Sequence, residues 1–304
     1  MNPRVETLPR HLTAELERRL GRTVAAVHPA PGVYASDFAA VLTLAGASAV
    51  FVKATRHRHR ADYRTEAAVA SALPRELATP RLRCWFERAG WIVLCFDAVA
   101  GAPPAQPWRP GNVAAVLASL AHRARLLTPS PLRALRGLPE LMAGTGRFTV
   151  WRDLAAGRPR ALSPDRPTPW QADHLHHLAE REARRASAVA GTSLLHFDPR
   201  ADNYLIDAAG RARVVDWSRA CLGAPWVDLA TFLPSAATDG HDPERLFATH
   251  PAGADVPPDD LDAYLAALAG HWADVVHRPG RPVAAPTGAA VSPGSSGALR
   301  GSGP

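Results

Sequence analysis

Three polar residues in the second half of the chain, Asp198, Asn203 and Asp216, have the side chains that phosphate chemistry needs. Two carboxylates and a carboxamide are hard oxygen ligands of the kind that magnesium takes when it carries a polyphosphate. A carboxylate in the same place can orient or deprotonate an attacking hydroxyl, and a cation must hold the phosphates that stay behind. Asp198 and Asn203 share the loop His196-Phe197-Asp198-Pro199-Arg200-Ala201-Asp202-Asn203, and Asp216 follows another apolar run. Residues 193–195, 204–206 and 212–215 read as strands, with the turn Asp207-Ala208-Ala209-Gly210 between the last two. Pairing of these strands brings the three polar ends together.

Composition singles out a candidate for the cation. Lys53 is the only lysine in 304 residues, and every other basic side chain apart from histidine is arginine. An ammonium is a compact point charge that fits an enclosed anion site, whereas a guanidinium is a broad planar fork. The surroundings of Lys53 read as a sheet. Residues 24–27, 38–44 and 49–54 are short runs rich in Val, Phe and Leu, separated by turn-forming segments, which predicts an antiparallel meander with Lys53 near the end of its third strand. Residues 62–73 read as a helix ended by Pro74, with Glu66 in its first half, and 81–86 and 91–96 as two more strands around Arg88-Ala89-Gly90.

These elements give an α+β, bilobal expectation. Residues 1–20 carry a leading amphipathic helix with Leu12, Leu16 and Leu20 at helical spacing, and 21–96 form a small antiparallel-sheet lobe with one helix. The stretch 97–104 breaks the pattern and marks a hinge. Residues 105–277 read as mainly helical around the 193–215 strands: helices over 112–127, 170–190, from 227, and 258–276, short helices near 131–142, and a mobile connection near 158–169. Residues 278–304 are almost wholly Gly, Pro, Ala and Ser and predict a disordered tail.

Charge and cysteine content exclude other classes. The net charge of +7 and pI near 10.1 arise from arginines interleaved with acids, as in Glu15-Leu16-Glu17-Arg18-Arg19, a pattern of solvated helix faces. Arg56-His57-Arg58-His59-Arg60 is the one dense basic run, and it lacks the interleaved aromatics of a nucleic-acid surface, so no nucleic-acid partner is expected. Three scattered cysteines suit neither a disulfide framework nor a zinc site. No apolar run is long enough to span a bilayer, and the N-terminus lacks a signal-peptide core, so no membrane partner is expected and the expected location is cytoplasmic.

The order His-x-Asp, four residues, Asn, hairpin, Asp is the catalytic-loop and metal-loop pattern of kinases. The runs Leu194 to Ile206 and Val214-Val215-Asp216-Trp217-Ser218, followed by Asp228-Leu229-Ala230, resemble the aminoglycoside phosphotransferase family, a branch of the protein-kinase-like fold that includes choline, homoserine and fructosamine kinases. The resemblance implies ATP, with GTP as a possible substitute, as donor, Mg2+ as cofactor and a hydroxylated small molecule as acceptor. It assigns Asp198 as base or hydroxyl-orienting carboxylate and Arg200 as a cation on the transferred phosphate. Asn203 and Asp216 become metal ligands, and His196 and Asp228 structural residues. In the small lobe, Lys53 is the lysine on the α and β phosphates, Glu66 its helix partner, and Phe96, Asp97, Ala98 and Val99 the hinge that holds adenine. The phosphate-covering loop expected at 29–37 departs from the pattern in having a single glycine, Gly32. A catalytically silent pseudokinase is the alternative; its mark is loss of Asp198, Asp216 or Lys53, and all three are present. The acids between 239 and 274 suggest a pocket for a polycation.

Overall fold

A computed structural model describes residues 7–30, 36–46, 49–56, 59–144, 146–158 and 167–276. The connection expected at 158–169, the loop at 29–37 and the tail from 278 therefore fall wholly or partly outside the described residues.

Helix α1 (Arg10–Leu20) ends where Gly21 adopts a left-handed φ of 65°, a conformation that glycine reaches at little cost. Then come β1 (Val24–Pro29), β2 (Phe38–Leu44), β3 (Val50–Thr55), α2 (Arg60–Ala72), β4 (Leu82–Arg88) and β5 (Trp91–Asp97). They form one antiparallel sheet in the order β1-β2-β3-β5-β4, so the final strand inserts beside β3. The β4–β5 hairpin turns through Ala89 and Gly90, both with positive φ.

Strand alternation sorts β5 into two faces. Trp91, Val93 and Cys95 pack with Leu12 and Leu16 of α1, whereas Ile92, Leu94 and Phe96 pack with Tyr63, Ala67 and Ala70 of α2. That double burial is why β5 reads as an unbroken apolar run. The same alternation on β3 sends Val50, Val52 and Ala54 to the α1 side and Lys53 towards α2.

The chain then continues through β6 (Gly101–Ala102), α3 (Pro110–Leu126), α4 (Leu138–Gly144), α5 (Val150–Ala155), α6 (Pro169–Asp173), α7 (Leu175–Ala183) and α8 (Arg185–Ala188). It next forms β7 (Ser193–Leu195), β8 (Tyr204–Asp207), β9 (Ala212–Val214), β10 (Cys221–Gly223), α9 (Val227–Ala237), α10 (Pro243–Thr249) and α11 (Pro258–Val276). β6, β8 and β9 form a three-stranded sheet, and β10 pairs with β7. β6 and β8 approach closely at Gly101, where an added Cβ would lie 2.7 Å from the Ile206 carbonyl oxygen.

Two sequence expectations change. The single helix expected over 170–190 is three pieces. At His174 the ring bonds the Trp170 carbonyl at 2.8 Å, and at Arg184 the amide bonds back three residues to Arg181, so both junctions tighten out of the α pattern. The hinge is also more structured than a break in pattern suggests, since β5 runs through Asp97 and β6 ties Gly101–Ala102 to β8. Among the described residues, no helix is long and apolar enough to cross a membrane.

Candidate active site

Lys53 joins the two halves of the molecule. Its ammonium is buried, 2.6 Å from Glu66 Oε2 on α2 and 3.2 Å from Asp216 Oδ1 beyond β9, and lies over the Tyr63 ring at 5.2 Å. Burial works against the charge, but the Glu66 and Asp216 carboxylates outweigh it and raise the lysine above its ordinary range. Burial likewise pushes the Glu66 carboxyl up, and the nearby ammonium pulls it back towards the ionised form. Asp216 keeps its charge: burial opposes ionisation, yet Lys53 and a hydrogen bond from Ser218 hold its carboxyl down at about 2. An ammonium with two carboxylate partners holds its position and can take phosphate oxygens without being built from a flexible surface chain.

The loop from His196 to Asn203 is fixed from behind. Asp228, at the start of α9, accepts the amides of His196 and Phe197, each at 2.9 Å, and pairs with the buried Arg123 at 3.2 Å. Phe197 sits at φ 59°, which turns the chain sharply just before Asp198. The His196 ring donates from Nε2 to the Val215 carbonyl at 2.8 Å, and Val215 donates its amide to the Asn203 carbonyl at 2.9 Å. His196 is therefore a brace between the Asp198 loop and the Asp216 turn, and burial and the Arg123 charge lower its basicity. Asn203 donates from Nδ2 to the Asp198 carbonyl at 2.8 Å. Asp216 itself takes a left-handed φ of 65° ahead of a single 3-10 turn.

A cavity of about 470 Å³ lies between the five-stranded sheet and this loop. Lys53, Glu66, Asn203 and Asp216 line it, together with Phe96, Asp97, Ala98 and Val99. The Asp97 and Ala98 amides donate to the Arg81 and Ala49 carbonyls. Arg200 lies at the rim, its guanidinium 3.1 Å from Asp198 and 3.2 Å from Asp202. Asp198 lines a second cavity, of about 240 Å³, and Arg200 lines both.

The donor set suits magnesium. Asn203 spends its amide nitrogen on Asp198, which directs its acceptor oxygen elsewhere, and Asp216 commits Oδ1 to Lys53. One carboxylate and one carboxamide are too few for a site made by protein alone. Among the described residues no cluster of three or more His, Cys, Asp and Glu stands ready for a metal. A pair of this kind is what magnesium uses when substrate phosphates and water complete its shell.

The sequence reading missed Arg123, Thr79 and the aromatic wall of the second cavity. Arg123 left a signal: it follows Val113, Val116 and Leu120 along the buried stripe of α3, and a charge on an apolar stripe is either paired or excluded. Thr79 left none. It donates to the Val214 carbonyl at 2.8 Å and accepts from the Trp217 indole at 3.4 Å, closing the gap between the sheet and the Asp216 turn. The acids expected to form a polycation pocket lie elsewhere: Asp259 and Asp262 pair with Arg181, Asp259 and Asp260 with Arg184, and Asp242 caps α10.

A sheet-borne lysine paired to a helix glutamate, set above an Asp-Asn loop and a hairpin aspartate, is the architecture of a protein-kinase-like phosphotransferase. The sequence matches the phosphotransferase enzyme family over residues 27–273, and the chain belongs to that family as a small-molecule phosphotransferase. Solved structures with the same fold include a spectinomycin phosphotransferase crystallised with AMP, with a TM-score of 0.59 at 12% identity, covering 88% of each chain. The choline kinase of Streptococcus pneumoniae gives 0.56 at 12% identity, covering 86% of this chain and 88% of its own. An aminoglycoside phosphotransferase of Streptomyces rimosus, in complex with ADP and streptomycin, gives 0.51 at 21% identity, covering 86% and 98%. No curated protein matches the sequence.

Proposed function

We propose that the protein transfers the γ-phosphate of ATP, or of GTP in its place, to a hydroxyl of a small molecule in the cytoplasm. Residues 21–96 then serve as the nucleotide lobe behind the leading segment 1–20 that carries α1, residues 97–104 as the hinge, and 105–277 as the catalytic and acceptor lobe. The observation that carries this reading is the position of Lys53, held between Glu66 and Asp216 at the inner end of the larger cavity.

In this reading the hinge backbone from Phe96 to Val99 holds the base, and Lys53 takes the α and β phosphates. Asn203 and Asp216 hold Mg2+, which when bound neutralises charge on the β and γ phosphates. Asp198 accepts the proton of the attacking hydroxyl and aims its oxygen at phosphorus. Arg200 swings from Asp198 and Asp202 onto the phosphate in transfer; its half-exposed side chain leaves it free to move. Asp228, His196 and Arg123 hold the loop and touch neither substrate.

Thermal unfolding with and without Mg·ATP tests the donor site. Nucleotide at about a hundred times its Kd is expected to add about 2.7 kcal/mol of stability. Asp216→Ala is expected to remove the magnesium-dependent part, and an unaltered gain in that variant sinks the metal assignment. Asp198→Asn is expected to keep nucleotide affinity while turnover falls by about a thousandfold or more; a variant with near-normal turnover removes Asp198 from the chemistry.

A further inference from the structure

The second cavity is lined by Asp198, the carboxylate that an attacking hydroxyl has to reach, and shares Arg200 with the cavity that Lys53 lines. Its walls are Phe148, Phe197, Tyr264, Leu268, His271 and Trp272. Phe148 and His271 lie with ring centroids 4.6 Å apart, and Trp272 is 40% exposed at the mouth. Rings stiffened by packing present flat apolar faces at low entropic cost.

The polar side chains of the lining are Asp198, Arg200, Thr231, Ser235, Tyr264 and His271, and Ser235 accepts the Trp108 indole N–H at 2.7 Å. The Thr231 hydroxyl donates to the Val227 carbonyl at 2.7 Å, so the 2.6 Å contact between Thr231 and Tyr264 uses the phenol proton. These two hydroxyls offer the cavity no proton. Among the described residues Asp198 is the one carboxylate in the lining, and Arg200 already neutralises part of its charge. A ligand with several ammonium groups would leave most of them desolvated against aromatic carbon with no counter-charge. At about 240 Å³ the space is also below the range that encloses a drug-sized ligand.

We propose that this cavity takes the phosphate acceptor as a compact hydroxylated ring compound carrying at most one positive charge, and that it rejects polycationic aminoglycosides. The inference rests on the phosphotransferase reading of the same site and goes beyond it in naming the acceptor chemistry. The ring lies between the aromatic walls, its hydroxyl donates to Asp198, and Trp272 closes over the exposed edge.

The test is equilibrium binding to the full chain with magnesium and a non-hydrolysable ATP analogue, followed by ADP release with ATP. The panel holds neutral ring alcohols, ring alcohols with one amine, acyclic alcohols and amino alcohols, and polycationic aminoglycosides. The expected result is that ring alcohols bind tightest, by about a hundredfold over the polycations. Tighter binding of any polycation or acyclic compound overturns the inference, as does the absence of a ring alcohol with Kd below about 1 mM. Trp272→Ala is expected to raise acceptor KM about tenfold while nucleotide affinity stays within about twofold; an unchanged acceptor KM also overturns it. Failure of the analogue itself to bind refutes the phosphotransferase reading, a result separate from any acceptor ranking.

Discussion

Asp228→Asn removes one charge and reverses one hydrogen-bonding group at the point where the catalytic loop is held. The native carboxylate accepts the His196 amide on Oδ2 and the Phe197 amide on Oδ1, both at 2.9 Å, and Oδ2 also faces Arg123 at 3.2 Å. The asparagine can offer an oxygen to only one of the two amides; its NH2 meets the other donor head on. Arg123, 3% exposed, is left with the Tyr204 hydroxyl at 3.1 Å and no counter-charge. Hydrogen bonds to a charged group contribute about 1.5–3 kcal/mol each, and breaking one side of a buried ion pair costs about 3–5 kcal/mol. The two losses share the same atoms, so about 3 kcal/mol is the expected total for asparagine, with alanine towards the upper end of the ion-pair range. In urea this lowers the midpoint by about 1 M or more.

The same substitution has a catalytic consequence. Phe197 is held at φ 59°, a conformation that costs an L-residue about 1–2 kcal/mol, and the Asp228 carboxylate is what keeps its amide there. Releasing it lets Asp198 leave its working position, so kcat is expected to fall about tenfold or more. Lys53 and Asp216 keep their ion pair and Glu66, and the Asn203 backbone stays tied to the Val215 amide, so Mg·ATP affinity is expected to stay within about threefold. An urea midpoint within error of the parent, or a loss of nucleotide affinity as large as the loss of turnover, would refute the assignment of Asp228 as the clamp on this loop.

Lys53→Arg is expected to raise the KM for ATP by about tenfold or more, because a planar fork cannot occupy a site only 2.6 Å from Glu66 without displacing α2; initial rates against ATP concentration check this, and an unchanged KM removes the argument from the solitary lysine. Glu182, buried on α7, accepts the Arg152 amide at 2.9 Å and the Trp151 amide at 3.3 Å, and burial outweighs these bonds to push its carboxyl up to about 6. The folded state therefore holds this proton more tightly than the unfolded chain, so Glu182 favours folding most below about 4.5 and loses that advantage as the pH rises through about 6. Relative to Glu182→Gln, the parent is expected to lose about 2 kcal/mol as the pH rises from well below 4.5 to well above 6, read from urea midpoints; parallel profiles contradict it.

The sheet and the convergence of Lys53, Glu66, Asn203 and Asp216 were legible because each is encoded locally. Alternation and turn residues set β2 to within a residue, and the spacing of Asp198, Asn203 and Asp216 reflects one loop and one hairpin. Glu66 and Lys53 could be matched because a strand lysine and a helix glutamate in sequence order have few ways to meet. β6 and β10 left no such trace: at two and three residues they show no period, and neither lies in the loop motif that marked the equally short β7 and β9. The junctions at His174 and Arg184 were equally silent, since neither carries the glycine or proline that marks a break.

The two cavities differ in the same way, and the difference has a physical origin. A polyphosphate with its metal is the same charged object in every kinase, so it demands fixed residue types at fixed separations and leaves a motif. An acceptor demands only a shape and a polarity, and here its walls come from Phe148, Phe197, Tyr264 and Trp272, far apart in the chain. Each of these reads in sequence as an ordinary core aromatic, and only tertiary structure sets them around one carboxylate. Acid-rich sequence between 239 and 274 suggested a cationic acceptor, but Asp259, Asp260 and Asp262 pair with Arg181 and Arg184, Asp242 caps α10 and Asp239 accepts the Trp108 amide. A charge count along a chain cannot distinguish carboxylates that hold helices together from carboxylates that line a site, because both are equally polar and only their partners differ. The acceptor chemistry of such an enzyme is therefore read from which carboxylates remain after the structural pairs are removed, and among the described residues of this cavity that is Asp198.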